Sequence, residues 1–315
     1  MTVGSAERVI GAVDWGGTWI RVALVANGRI VHRERIRRPD SLPDQYAAVA
    51  TLVQRGAAAV GQPPAAVGVG VAGVVQHGQV MTAINLGITT ATDVVGALQG
   101  ELACPVFLVN DVQAAASSLA IRWPDDLTAV ITMGTGIGGA VIEHGRLLTG
   151  NGAAGDFGHT VVQVDGPRCP CGGAGCLEAL VSGRVLAGAA DDLVAWGRSE
   201  FLANVRLSGR ALHAGDLQDA AQAGDAQARE VLERGAAAFA AGLRTIVAAL
   251  DPARIVVAGS LLAEDAAFGG LVRQRWDDIR PAWCTTPLVH VADDEDAALL
   301  GAANFAAGEL ETDLQ

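Results

Sequence analysis

The densest chemistry in the chain is a histidine, His159, followed after nine residues by Cys169-Pro-Cys171-Gly-Gly-Ala-Gly-Cys176. Thiolates two positions apart need a sharp turn, and Gly172, Gly173 and Gly175 permit one. An imidazole and three thiolates complete a tetrahedral zinc site with no open position, which reads as a structural metal rather than a catalytic one. Such crowding in a cytoplasmic chain points to metal before disulfide. Glu178 follows the last cysteine, so the same loop would position it together with the backbone around His159. Cys104 and Cys284 stand apart in apolar surroundings and read as buried thiols.

Two glycine-rich turns and two acids form a second group. Asp14-Trp15-Gly16-Gly17-Thr18, with Arg21 after it, sets an acid at a strand end and backbone donors in a hairpin. That arrangement can hold phosphate oxygens and a magnesium ion, or it can be an ordinary glycine hairpin. Gly134-Thr135-Gly136-Ile137-Gly138-Gly139 formally matches a dinucleotide-binding fingerprint, which should open a helix. Here it leads into AVIEHG, a strand-like run, so a second phosphate-binding hairpin is the better reading. Asn110-Asp111 lies where an apolar strand meets a helix, a place where acids face the ligand crevice of an open α/β sheet. Asp111 is equally placed to be that helix's N-cap.

The elements that must position these residues follow from periodicity. VIGAVD and IRVALV flank the first glycine turn, and IVHRERI completes a three-strand meander. Apolar spacing over 44–60 predicts a helix; VGVGVAG (67–73) and VFLVND (106–111) predict buried strands, with helix after the latter. The plan then repeats from TAVITMGT (128–135), with AVIEHG as a second strand and RLLTG as its continuation. A long amphipathic helix is predicted over 225–250, with Leu232, Phe239, Leu243, Ile246 and Leu250 on one stripe and Pro252 at its end. RIVVAG (254–259) and a helix over 294–308 close the chain. Two α/β lobes with a cleft between them are expected.

Bulk composition removes several function classes. The chain has 315 residues, half of them hydrophobic, which is enough for two cores. Its net charge of −12 argues against a nucleic-acid surface. No apolar run is long enough to span a bilayer, and the first residues lack a signal-peptide pattern, so a cytoplasmic protein is expected. All 22 Lys-plus-Arg residues are arginine. A Walker A loop and a pyridoxal Schiff base both need lysine, so phosphate must be handled by glycine backbone, hydroxyls, metal or arginine.

Taken together these residues resemble the ROK family of sugar kinases, repressors and related proteins, nearly end to end. The family's D-x-G-G-T-x-x-R motif is matched from Asp14 to Arg21, and its N-D-x-x-A-A motif from Asn110 to Ala115. Its second phosphate motif is matched from Gly134 to Gly139, and its zinc signature from Cys169 to Glu178. The resemblance implies a two-lobed actin-like ATPase (ribonuclease H-like) α/β fold with the zinc loop in the larger lobe. Residues 1–117 plus 294–315 would form the small lobe and 118–293 the large one. It implies ATP-dependent phosphorylation of the 6-hydroxyl of a hexose or aminohexose, with Mg²⁺ accompanying ATP and a structural Zn²⁺. Asp111 would take the hydroxyl proton; Gly73, Asn85, Asn110, Asp156, His159 and Glu178 would face the sugar. Asp14, Gly16, Gly17, Thr18, Arg21, Gly134, Thr135, Gly136, Gly138, Gly259 and Ser260 would face ATP, its phosphates and Mg²⁺. A homodimer or homotetramer is implied.

The chain also departs from the family pattern. Asp156 stands in Gly155-Asp156-Phe157-Gly158-His159 where the family has Glu, which withdraws the acceptor by about 1.5 Å. Gly-Ile-Thr-Thr after Asn85-Leu86 lacks the usual aromatic residue, Val75-Gln76 replaces an acid, and Ala258-Gly259-Ser260 replaces a run of glycines. These changes bear on which sugar is bound: glucose is the first expectation, with N-acetylmannosamine, N-acetylglucosamine or kanosamine as alternatives. About eight residues precede the first strand, too few for the DNA-binding segment of a repressor, and a sugar-binding protein without catalysis is the other rival.

Overall fold

The computed structural model describes residues 8–313 except 293. The first seven residues, part of the stretch in which no leader is expected, lie outside the described residues. Contacts divide the chain into two units, one of residues 1–126, 141–154 and 294–315, the other of 127–140 and 155–293.

The first unit opens with the expected meander: β1 (Val9–Trp15), β2 (Trp19–Ala26) and the edge strand β3 (Arg29–Arg37). β1 is buried along its whole length, as its unbroken apolar run requires, whereas β3 alternates and leaves arginines in solvent. Asp14 pairs with Arg21 across the β1–β2 ladder, so the acid and cation of the first motif share one face. α1 (Leu42–Val60) starts at Ser41, whose hydroxyl accepts from the Asp44 N–H, and stops at left-handed Gly61. β4 (Val67–Val71) runs parallel to β1. A small hairpin, β5 (Val74–Gln76) and β6 (Gln79–Thr82), leads into the single 3₁₀ turn Ile84–Leu86 that carries Asn85. α2 (Val94–Leu102) returns the chain to β7 (Val106–Asn110), parallel to β4, and α3 (Asp111–Ser117) follows without a linker. The sheet order is β3-β2-β1-β4-β7.

The second unit repeats that plan. Its strand β8 (Thr128–Met133) and the start of β9 (Ile137–Glu143) precede the parallel strands β11 and β12; the end of β9 and β10 (Arg146–Leu148) are counted with the first unit, and the sheet order is β10-β9-β8-β11-β12. β10 was expected as a continuation of β9; instead His144 and Gly145, both at positive φ, turn the chain back into an antiparallel strand. Four helices follow, α4 (Leu177–Leu180), α5 (Gly183–Ala195), α6 (Glu200–Leu207) and α7 (Ala214–Gln222). α8 (Ala226–Leu250) is the predicted amphipathic helix: Asp225 caps it, and Leu232, Phe239, Leu243 and Ile246 are buried. Phe239 meets Phe268 edge to face at 6.4 Å, joining α8 to α9 (Ala267–Ile279). β11 (Arg254–Ala258) lies between β8 and β12 (Leu288–Val291).

The last helix, α10 (Ala297–Asp313), belongs to the first unit and packs on its sheet through Leu299, Ala302, Ala303 and Ala306. It begins later than the sequence predicts. Asp294 accepts from the Asp296 N–H through its side chain and from the Ala297 N–H through its carbonyl, and this turn occupies the residues before the helix. Among the described residues no helix is long and apolar enough to cross a membrane.

Candidate active site

In the first unit Asp14 is buried near the end of β1, and its carboxylate accepts from Arg21 Nε at 2.5 Å. Arg21 also donates to the Glu295 carbonyl at 2.7 Å, just before α10. The turn Gly16-Gly17-Thr18 is exposed at its tip and closed by the Gly16 N–H donating to the Trp19 carbonyl. Arg38 braces it from outside: its Nε donates to the Gly17 carbonyl at 2.8 Å and its N–H to the Thr18 carbonyl at 2.9 Å. A β-carbon on Gly17 would sit 3.2 Å from the Asn85 Cβ, so this glycine turn and the turn that carries Asn85 pack side by side.

The cap that the sequence offered to Asp111 belongs to its neighbour Asn110. Asn110 is the N-cap of α3: its Oδ1 accepts from the Val112 and Gln113 N–H groups, and its Nδ2 donates to the Gly73 carbonyl at 3.0 Å. Asp111 occupies the first helical position, where Oδ1 accepts from the Val112 N–H at 2.9 Å. Burial pushes its carboxyl up to about 6; the Val112 hydrogen bond opposes that shift and the nearby Asp14 charge adds to it. A carboxylate with this affinity for a proton is suited to accept one near neutral pH. Buried Gln113, one turn into the same helix region, donates to the Gly152 and Ala154 carbonyls.

In the second unit Gly134–Gly139 is a strand-to-strand turn, with Gly138 and Gly139 already inside β9, so no helix opens there. Glu178, at the start of α4, reaches this turn: Oε2 accepts from the Ile137 N–H at 2.8 Å. It lies in the place a β-carbon on Gly136 would need, so a side chain there would displace the Glu178 carboxylate. Its other oxygen, Oε1, accepts from Arg184 at 3.2 Å. Gly259, at φ +114° after β11, lies against the Met133 backbone, and Ser260 beside it is exposed. Asp156 lies 3.8 Å from His159 Nε2. Its carboxyl is raised, by burial first and by Glu178, with His159 opposing.

The opposite face of His159 looks into the cysteine cluster. Nδ1 is 3.5 Å from Cys169 Sγ, Cys171 Sγ is 3.7 Å from Cys176 Sγ, and the four donor atoms lie within 4.8 Å of one another. A tetrahedral ion with Zn–S bonds near 2.3 Å would hold sulfurs about 3.8 Å apart, so the cluster fits a zinc-sized ion. Burial pushes the Cys176 thiol up to about 12, so joint ionisation of the three thiols calls for a cation among them.

These residues match a known family model. The ROK family model covers residues 10–309. The chain belongs to the ROK family. N-acetylmannosamine kinase of Escherichia coli (strain SMS-3-5) is 33% identical over 310 residues, covering 95% of this chain and 98% of the relative. The ROK hexokinase of Thermus thermophilus superposes with a TM-score of 0.84 at 28% identity, over 96% of this chain and 99% of that one. A ROK glucokinase from Streptomyces griseus, solved with glucose and AMPPNP, gives a TM-score of 0.74 at 28% identity over 95% and 99%. The chain is therefore an actin-like ATPase-fold protein of the ROK sugar-kinase type.

Arg184, Arg38 and Gln113, which bond to Glu178, to the Gly17 carbonyl and to the Gly152 and Ala154 carbonyls, were not singled out in the sequence of this ROK chain. The absence of lysine makes arginine the chain's one strongly basic side chain, but Arg38 and Arg184 reach the glycine turns only through the fold. Gln113 carried no signal, because its partners are carbonyls far along the chain.

Proposed function

We propose that this ROK protein transfers the γ-phosphoryl group of ATP to the 6-hydroxyl of an aminohexose, with N-acetylmannosamine as the leading candidate. The observation that carries the reading is Asp111: a carboxylate at the start of α3, raised to about 6 by burial and beside the acid of the first phosphate motif. Asp111 accepts the hydroxyl proton as the sugar oxygen attacks phosphorus, and Asn110 keeps it oriented by fixing the helix start to Gly73. In each unit the glycine turn would offer phosphate the backbone N–H groups that do not close the turn, since Gly16 and Gly134 donate to the Trp19 and Gly136 carbonyls and Ile137 to Glu178; Gly259 and Ser260 would face the nucleotide. Asp14, held by Arg21, would hold Mg²⁺ accompanying ATP, which would supply charge neutralisation at the phosphates. His159, Cys169, Cys171 and Cys176 would hold a structural zinc, which would fix the loop carrying Asp156 and Glu178.

The aminohexose is favoured over glucose because relatives at 33–34% identity over nearly the whole chain are N-acetylmannosamine kinases. The shorter acid at Asp156 supports that choice by leaving room near the anomeric end of the sugar. Glucose is the second reading, favoured by the glucose-bound glucokinase structure. A coupled ADP-release assay over N-acetylmannosamine, N-acetylglucosamine, kanosamine and glucose tests both. Turnover of the first at the highest kcat/KM is the expected result, and no turnover of any sugar overturns the function.

A further inference from the structure

Arg184 is fixed to the second glycine turn by its own backbone. It is the second residue of α5, whose buried cap Ser182 accepts from the Val185 N–H. The Gly183 and Arg184 N–H groups donate to the Gly134 and Thr135 carbonyls at 2.9 and 3.1 Å. A β-carbon on Gly183 would overlap the Gly134 carbonyl, so the helix start and the turn are pressed together. Wherever the turn goes, the root of the Arg184 side chain goes with it.

The guanidinium is held much less firmly. It makes a single 3.2 Å contact to Glu178 Oε1, with 56% of the arginine side chain exposed against 16% of the glutamate. An exposed, one-point ion pair contributes little and exchanges partners easily. A phosphate seated on the turn would offer the same guanidinium a planar two-point match with more negative charge. Oε2 is already engaged by the Ile137 N–H, so Arg184 holds the oxygen of Glu178 that is not tied to the backbone. Donor and sugar thus each draw on a different end of one ion pair.

We propose that Arg184 is a shared clamp: it pairs with Glu178 Oε1 while the donor site is empty, and turns to the donor phosphates when they arrive. That turn releases Oε1 to accept a sugar hydroxyl. The clamp rests on the reading of Glu178 as a sugar ligand and of residues 134–139 as a phosphate site. Its consequence is that donor and sugar each tighten the other's binding, as linkage requires. Arg184 acts on the sugar through Glu178 and is a positioning residue in that respect, while toward the phosphates it is a direct ligand.

Calorimetric titration of the full chain with N-acetylmannosamine, and in parallel with glucose, with and without MgAMPPNP, tests the clamp. The wild type should bind sugar about 5-fold or more tighter with the nucleotide analogue present. Arg184→Ala should bind sugar without nucleotide almost as tightly as the wild type does with it. In that variant MgAMPPNP should add nothing to sugar affinity and should itself bind about 10-fold more weakly. Arg184→Lys, which keeps the charge, should restore most of the coupling. Loss of sugar affinity to the same extent with and without nucleotide would show mere structural support for Glu178 and overturn the clamp. Intact coupling in Arg184→Ala overturns it as well. A wild type that turns over sugar yet shows no coupling removes the clamp and leaves the proposed function standing. A wild type that turns over neither sugar removes both.

Discussion

The side-chain amide of Asn110 donates to the Gly73 carbonyl at 3.0 Å while its oxygen caps α3, so one residue ties the loop after β4 to the helix that carries Asp111. Both halves of the amide are used within the protein. Removing it in Asn110→Ala should destabilise the fold by about 1 kcal/mol through the lost cap alone. Activity should fall further than that loss explains, because Asp111 loses its orientation. Urea unfolding and steady-state kinetics measured on the same preparation check the pair of effects. Asn110→Asp keeps the cap and should recover the stability but not the Gly73 bond.

Asp111 should also leave a signature in the pH dependence of stability. Its folded pKa of about 6 lies above the ordinary carboxylate value, so between roughly pH 4 and 6 the folded state binds more protons than the unfolded one. Stability from this group is therefore full below pH 4 and declines as pH rises to 6. Asp111→Asn removes the penalty and should be more stable than wild type at pH 8 by at most about 3 kcal/mol, with little difference at pH 4. Melting curves at the two pH values measure it, and equal differences at both would contradict the assigned shift.

The zinc reading predicts one zinc per chain by elemental analysis of protein purified without added metal. Cys171→Ser should lower Tm and weaken sugar binding together, since Asp156, His159 and Glu178 share that loop. Fully active protein with no bound metal would rule out the structural ion.

Asp156 should decide between sugars. Its carboxylate is near His159 Nε2 and feels the charge of Glu178. Glutamate reaches about 1.5 Å further. Asp156→Glu should lower kcat/KM for N-acetylmannosamine several-fold and raise it for glucose. Identical kinetics across both sugars would mean that the side chain does not touch substrate.

Much of the fold was legible in the sequence because its strands and turns are written in short local motifs. The strands around Asp14 and Gly134 are continuous apolar runs broken by glycine, and the four zinc-type donors sit within one loop, so each could be read from neighbours in the chain. The role of Asn110 as cap was not legible, because Asn110 and Asp111 have nearly equal capping tendencies and only the bond to Gly73, a contact 37 residues away, separates them. Glu178 was expected at the sugar, but its hold on the Ile137 N–H depends on α4 meeting β9, a tertiary fact. β12 was missed because its four residues are only half-buried and carry no clear alternation. β10 was merged with β9 because His144 offers no sequence warning of its positive φ.

The most direct test of the account is turnover by Asp111→Asn, followed from about pH 5 to pH 9 with N-acetylmannosamine and glucose. Wild-type kcat/KM should rise with pH through an apparent pKa of about 6, as the base loses its proton. The variant should lose at least about 10²-fold in kcat with no such limb, while calorimetry shows sugar affinity within a few-fold of wild type. A variant that keeps more than about a tenth of wild-type kcat would show that another group accepts the proton, and the assignment of Asp111 would be wrong.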